Sequence, residues 1–206
     1  MVLERYRAGW EATLLAPART AQRLGITPDV LTIASFVFAL GAAVCFALAD
    51  AASLWLLLVG AALVCVNAVL DGLDGRLARL TNTSSRRGDY LDHVVDRYSD
   101  AVILLGLALS PLGSLEWGLF ALAGTFLTSY MGTQAQALGL GRNYAGWLGR
   151  ADRLAILIVV PALVAVTGQV GFGPVSFIVA MLAYFAILGN ITALQRFWSG
   201  WRQLRE

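Results

Sequence analysis

Lysine is absent from this chain, so all fifteen basic residues are arginine, and charge of either sign is scarce at 14% of 206 residues. Set against 58% hydrophobic residues and a mean hydropathy of +0.71, that scarcity excludes a soluble domain and points to a polytopic membrane protein. A cleavable signal peptide is not expected, because the N-terminal residues include Glu4, Arg5 and Arg7 and no short apolar run ending in small residues. Only two cysteines occur, Cys45 and Cys65, both within apolar runs, which makes them core or lipid-facing thiols rather than a disulfide. There is no internal repeat and no low-complexity tract, and no nucleic acid partner is expected.

What is present reads as an all-α membrane protein, one domain over residues 1–206 with six transmembrane helices and an N-terminal amphipathic interfacial helix. In residues 1–24, Leu3, Tyr6, Trp10, Leu14 and Leu24 recur at helical spacing among Arg5, Arg7, Glu11, Arg19 and Arg23, and Pro17 is expected to break or kink the segment. Thr27-Pro28 combines an N-cap with proline at the first helical position. The bundle, residues 28–198, divides into spans over 28–48, 53–79, 88–110, 115–138, 150–168 and 173–198.

Arginine sets the topology. It occupies the N-terminal segment, the 76–87 and 142–153 connections, Arg97 and the C-terminal end, and is missing from 49–52, 111–116 and 169–172. Basic and non-basic connections alternate, which places both termini on the cytoplasmic side of the cell membrane, with the polar segment near residue 71 facing the cytoplasm. Trp10, Trp147, Trp198 and Trp201 near one boundary and Trp55 and Trp117 near the other fit the same frame. At about 1.5 Å per residue, Asp71 lies roughly 27 Å along its helix from Ser53, in the inner leaflet near the headgroups.

Inside this apolar frame stand four aspartates, Asp71, Asp74, Asp92 and Asp96, spaced 3, 18 and 4 residues apart. Ionisable groups at membrane depth are costly unless paired, hydrated or bound to metal. Spacings of 3 and 4 put both members of each pair on one helix face. If the chain turns back between them, two helices present four hard oxygen ligands to one point, an arrangement suited to Mg²⁺ or Mn²⁺.

The run Asp71, Asp74, Gly75, Ala78, Arg79, Gly88, Asp92, Asp96 resembles, without a mismatch, the CDP-alcohol phosphotransferase (CDP-alcohol phosphatidyltransferase) signature D-x-x-D-G-x-x-A-R-x8-G-x3-D-x3-D. The resemblance implies an enzyme of phospholipid biosynthesis that moves a phosphatidyl-type group, carried by diacylglycerol or archaeol, from a CDP-lipid to a small polar alcohol and releases CMP. It further implies that Asp71, Asp74, Asp92 and Asp96 hold one or two divalent ions, with Asp96 as general base for the acceptor. Asp71, Gly75, Ala78, Arg79 and Gly88 would meet the CDP-lipid: Arg79 clamps a phosphate, Gly75 and Ala78 let the nucleotide approach the backbone, and Gly88 opens a helix where the chain packs closely. Contact with membrane lipids and a homodimer are implied as well. Gly124, Gly132, Gly139 and Gly141 offer small surfaces for close helix approach.

The acceptor is expected to be inositol phosphate or glycerol phosphate, with inositol-phosphate lipid synthesis the leading reading. The segment Gly149-Arg150-Ala-Asp152-Arg153 resembles that of members using phosphorylated acceptors, and Arg142, Arg150 and Arg153 suit an anionic headgroup, although residues 129–136 carry no arginine. Three alternatives stand beside this: a serine acceptor, a cation- or proton-coupled transporter using the Asp cluster, and a prenyltransferase-type Asp-rich site. His93 is expected to point away from the ligands, Arg97 to pair with a nearby aspartate, and Asp100, one turn past Asp96, to lie behind the ligands or outside the site altogether.

Overall fold

A computed structural model describes residues 13–141, 146–173 and 175–204. Among these are seven helices: α1 (Leu15–Arg23), α2 (Pro28–Leu48), α3 (Trp55–Leu80), α4 (Arg86–Leu109), α5 (Leu115–Ala137), α6 (Arg150–Thr167) and α7 (Phe177–Gln203). A two-residue antiparallel pair, β1 (Gly171–Phe172) with β2 (Val175–Ser176), joins α6 to α7, Gly171 opposite Ser176.

Local chemistry explains most helix ends. Thr27 is extended and Pro28 follows at the first helical position. Ser85, Ser114 and Ser176 each accept a hydrogen bond from a backbone N–H three residues on, capping α4, α5 and α7. Asp152 accepts from the Gly149 N–H (3.2 Å) at the start of α6, and Gly168, left-handed at φ 68°, stops that helix. A break does fall just ahead of Pro17: Thr13 is helical, Leu14 is a turn, and a new helix starts at Leu15. Pro17 itself lies in the first turn of α1, where its missing N–H would have had no helical partner. The rest of the predicted 1–24 helix, including Leu3, Tyr6 and Trp10, lies outside the described residues.

α2 packs along both α3 and α4, α3 along α6, and α5 chiefly along α7. Glycines set the closest approaches. A Cβ on Gly106 of α4 would lie 2.7 Å from Ala43 Cα on α2, and one on Gly124 of α5 would lie 2.8 Å from the Asn190 nitrogen on α7. Gly124 therefore serves the bundle's own packing rather than the self-association expected of it. Gly132 is buried within the bundle, and Gly139 and Gly141 are left-handed turn residues beyond the end of α5 (φ 79° and 76°). The large core gathers Phe46, Leu57, Val64, Leu104, Leu107, Leu182 and Phe185. A second, smaller one fastens Leu14 and, on α1, Ala18 and Ala21 against Leu31, Leu73 and Leu77, directly beside the aspartate-bearing part of α3.

By length and apolarity alone, α2, α3 and α7 can cross a membrane. The other long helices are more polar: α4 carries Arg86, Arg87, Asp89, Asp92, Asp96, Arg97 and Asp100, and α6 opens on Arg150, Asp152 and Arg153.

Candidate active site

The two aspartate helices are joined by a short turn in which Asn82 takes a left-handed φ of 54° and the Thr83 N–H donates to the Ala78 carbonyl (3.0 Å). α3 and α4 hardly touch each other; α2, packed along both, holds them apart. Asp71 and Asp74 from one helix and Asp92 and Asp96 from the other thus meet across a gap. The Asp71 and Asp96 carboxylates come within hydrogen-bonding reach of each other, and Asp74 lies in the field of both Asp71 and Asp92. Asp92 and Asp96 stand together with His93, Asp71 lies beside Asp96, and Asp74, held by Thr32, lies at the edge of the group.

Each has its own support. The Thr32 hydroxyl on α2 donates to Asp74 Oδ2. Arg150, the first residue of α6, grips Asp71 through two parallel bonds, Nη1 to Oδ2 at 2.9 Å and Nη2 to Oδ1 at 3.1 Å, and the same Nη2 contacts Asp96 Oδ1. Arg97 Nη2 lies 3.4 Å from Asp96 Oδ2, and its Nη1 donates to Ser129 Oγ on α5 (2.5 Å). Asp92 is the most open of the four, its side chain 36% exposed, with His93 Nδ1 at 3.9 Å. His93 does not point away: its ring and the carboxylates of Asp92 and Asp96 can place ligand atoms within 4.8 Å of one another.

These residues fit a divalent metal. The donors are almost entirely carboxylate oxygens, the choice of hard ions such as Mg²⁺ and Mn²⁺. Carboxylates gathered this closely repel one another when ionised, and a bound cation would relieve that repulsion. The other motif positions leave room. A Cβ on Gly75 would meet only Arg79 Nη1 at 3.5 Å, and Ala78 is half-buried. Arg79 is exposed at the end of α3. Gly88 is not the tight packing point expected of it: a Cβ there would sit in ordinary contact with Ser85 Oγ (3.4 Å) and Asp29 Oδ1 (3.8 Å), and its N–H serves the Ser85 cap.

The expected acceptor wall is arranged differently. Arg142 lies outside the described residues. Arg150 is on the aspartates themselves, and Arg153, buried, donates to Asp100 Oδ2 at 3.0 Å. The α6 entrance is pinned to α7, where Thr192 Oγ1 accepts from the Leu148 N–H (3.1 Å). Thr32 and Thr192 carry no signal in the sequence, because each acts on a partner 42 or 44 residues away.

Residues 25–194 match the CDP-alcohol phosphatidyltransferase family model, and the chain belongs to that family. It is 35% identical to a phosphatidylinositol phosphate synthase of Cutibacterium acnes, over 95% of each chain. It is also 32% identical to an archaetidylinositol phosphate synthase of Pyrococcus horikoshii, over 92% of this chain and 95% of that one. Its fold matches the phosphatidylinositol phosphate synthase PgsA1 of Mycobacterium tuberculosis with CDP-DAG bound, at a TM-score of 0.73 and 28% identity over 91% and 93% of the two chains. The same enzyme in complex with manganese and citrate matches with a TM-score of 0.73 and 28% identity, over 91% and 88% of the chains. The chain is thus a membrane-bound transferase of phospholipid biosynthesis, in a family that uses divalent metal. Membership does not favour the transporter reading of the aspartate cluster.

Proposed function

We propose that this enzyme transfers a phosphatidyl-type group from a CDP-lipid to the hydroxyl of inositol phosphate and releases CMP. The observation that carries the reading is the meeting of Asp71, Asp74, Asp92 and Asp96 across the α3–α4 gap with arginines on one side of it. The names of the Cutibacterium and Pyrococcus relatives support the acceptor. The lipid tail, diacylglycerol or archaeol, would lie along the apolar helix faces.

The four aspartates would hold the metal, two Mg²⁺ or Mn²⁺ ions in this reading, which when bound neutralises the donor diphosphate and stabilises the departing phosphate. Asp96, held by Arg97 and Arg150, takes the proton of the acceptor hydroxyl as its oxygen attacks the lipid-side phosphorus. The bond from that phosphorus to the bridging oxygen breaks, and CMP leaves with the electron pair. The bare backbone at Gly75 and Ala78 admits the nucleotide, and Arg79 clamps a phosphate. Arg150 and Arg153 present guanidinium N–H groups to the acceptor's phosphate, beside the aspartates that activate its hydroxyl.

In the membrane, α2 to α7 form a single six-span domain, with the aspartates opening to the cytoplasm. Arginine in alternate connections supports that orientation.

CMP release from CDP-lipid with a panel of inositol phosphate, glycerol phosphate, serine and free inositol tests the acceptor. Inositol phosphate should give the highest kcat/KM. Turnover with serine or free inositol alone would overturn the phosphorylated-acceptor reading while leaving the transferase intact.

A further inference from the structure

Behind the aspartate cluster runs a line of charge in which the proposed chemistry leaves one member, Asp100, unused. Asp100, one turn beyond Asp96 on α4, is buried, its side chain 6% exposed. A single oxygen, Oδ2, receives Arg153 Nη2 at 3.0 Å and lies 3.6 Å from Arg97 Nη2. Arg97 continues the line to Asp96 and, through its other amino group, to Ser129. The result is Asp96, Arg97, Asp100 and Arg153 in an unbroken sequence that starts on the proposed base and ends on an arginine of α6.

We infer that Asp100 is a positioning residue for acceptor binding, holding Arg153 at the aspartate cluster by tying α6 to α4. This rests on the proposed use of a phosphorylated acceptor.

Three observations support it. First, α4 and α6 share little direct packing, so the Arg153–Asp100 pair is a principal link between the helix carrying Asp96 and the helix carrying both arginines. Second, Arg97 and Arg153 both converge on Asp100; without the carboxylate, two guanidiniums would face each other in a poorly solvated place and repel. Third, the pair occupies one of the five N–H donors of Arg153. The contact orients the planar group without consuming the rest of its donor fork. A buried ion pair by itself is weak evidence for stability, since apolar replacements are often as stable. Its value here lies in where it puts the guanidinium.

The test uses the full-length enzyme with Asp100→Asn, Asp100→Glu, Arg153→Gln and the double variant Asp100→Asn/Arg153→Gln. Measured are the KM values for inositol phosphate and CDP-lipid, the melting temperature, and Mn²⁺ affinity from the spin-resonance signal of free Mn²⁺. Asp100→Asn should raise the inositol phosphate KM about tenfold or more, with the CDP-lipid KM and Mn²⁺ affinity within about twofold of the parent. Asp100→Glu should recover part of that loss, and the double variant should be no worse than Arg153→Gln alone. Should Asp100→Asn fail to fold, Asp100→Glu and the double variant, which removes both charges together, carry the same comparison. An unchanged acceptor KM, or both KM values rising together with a lower melting temperature, overturns the inference. If the parent enzyme releases no CMP with any phosphorylated acceptor, the proposed function has failed. If it does so, and Arg153→Gln raises the acceptor KM while Asp100→Asn does not, only the role of Asp100 has failed.

Discussion

At the scale of single residues, the site is a set of carboxylates whose aim is set by neighbours. Thr32 donates to Asp74 and so fixes the direction of its oxygens. Outer partners of this kind are commonly worth 10–100-fold in metal affinity or activity. Thr32→Val, of nearly the same shape, should therefore raise the Mn²⁺ concentration for half-maximal activity by roughly tenfold or more, and excess chelator should abolish turnover of the parent. Activity that survives chelation would remove metal from the account. Asp71 and Asp96 should separate by role. Asp71→Asn loses a ligand and a partner of Arg150, so it should weaken both Mn²⁺ binding and turnover. Asp96→Asn should cost turnover by about 10²–10⁴-fold, the range for a lost general base, while Mn²⁺ binding falls less. Equal losses in both measurements for the two variants would undo the assignment. The aspartates were legible because their spacing is local and their burial in an apolar chain is expensive. Thr32 on Asp74 and Arg150 on Asp71 were not, because those partners lie 42 and 79 residues apart and only packing brings them together.

At the scale of elements, α2 is the scaffold on which the site depends. It separates α3 from α4 while packing against both, and Gly106 lets α4 come down onto the backbone at Ala43. A side chain at that crossing must push the helices apart and carry Asp92 and Asp96 away from Asp71 and Asp74. Gly106→Val should cost about 1–3 kcal/mol in stability, the usual toll of overpacking, and lower CMP release along with it. A variant with parental melting temperature and turnover would show that the crossing does not set the gap. The helical spans were largely readable, and the Thr27-Pro28 start is chemistry within a few residues, whereas the serine caps and the glycine stop of α6 emerge only with the structure. The polar pattern of α4 and α6 was read correctly as helix, yet it is what keeps those helices off the group that is apolar enough to span on its own. The glycines misled for a similar reason. Gly124 has the small surface that suits contact between copies, but α7 already occupies it.

For the whole molecule the testable property is its orientation. Residues 49–52 join α2 to α3 and carry no arginine, and the proposal puts them outside, opposite the aspartates. Gly113, in the next connection on that side, has no room for a side chain, since a Cβ would run into the Leu107 carbonyl. Ala51, exposed in the first connection, is the better place for a reporter. Ala51→Cys, in a background where Cys45 and Cys65 are replaced, should react with a membrane-impermeant maleimide in intact cells. Reaction only after the membrane is opened would invert the topology and part the site from cytoplasmic CDP-lipid.

The order of helices along the chain has a further consequence, for how the molecule is made. All four carboxylates belong to α3 and α4, whereas Arg150 and Arg153 belong to α6. Synthesis runs from the N-terminus, so the acidic cluster enters the membrane before the guanidiniums that will grip it have been translated. For that interval Asp71 lacks the Arg150 guanidinium that grips it in the finished protein, and soluble cations are a countercharge at hand. Assembly of this enzyme is thus an ordered encounter, in which the carboxylates are in place first and the α6 arginines arrive later to close over them.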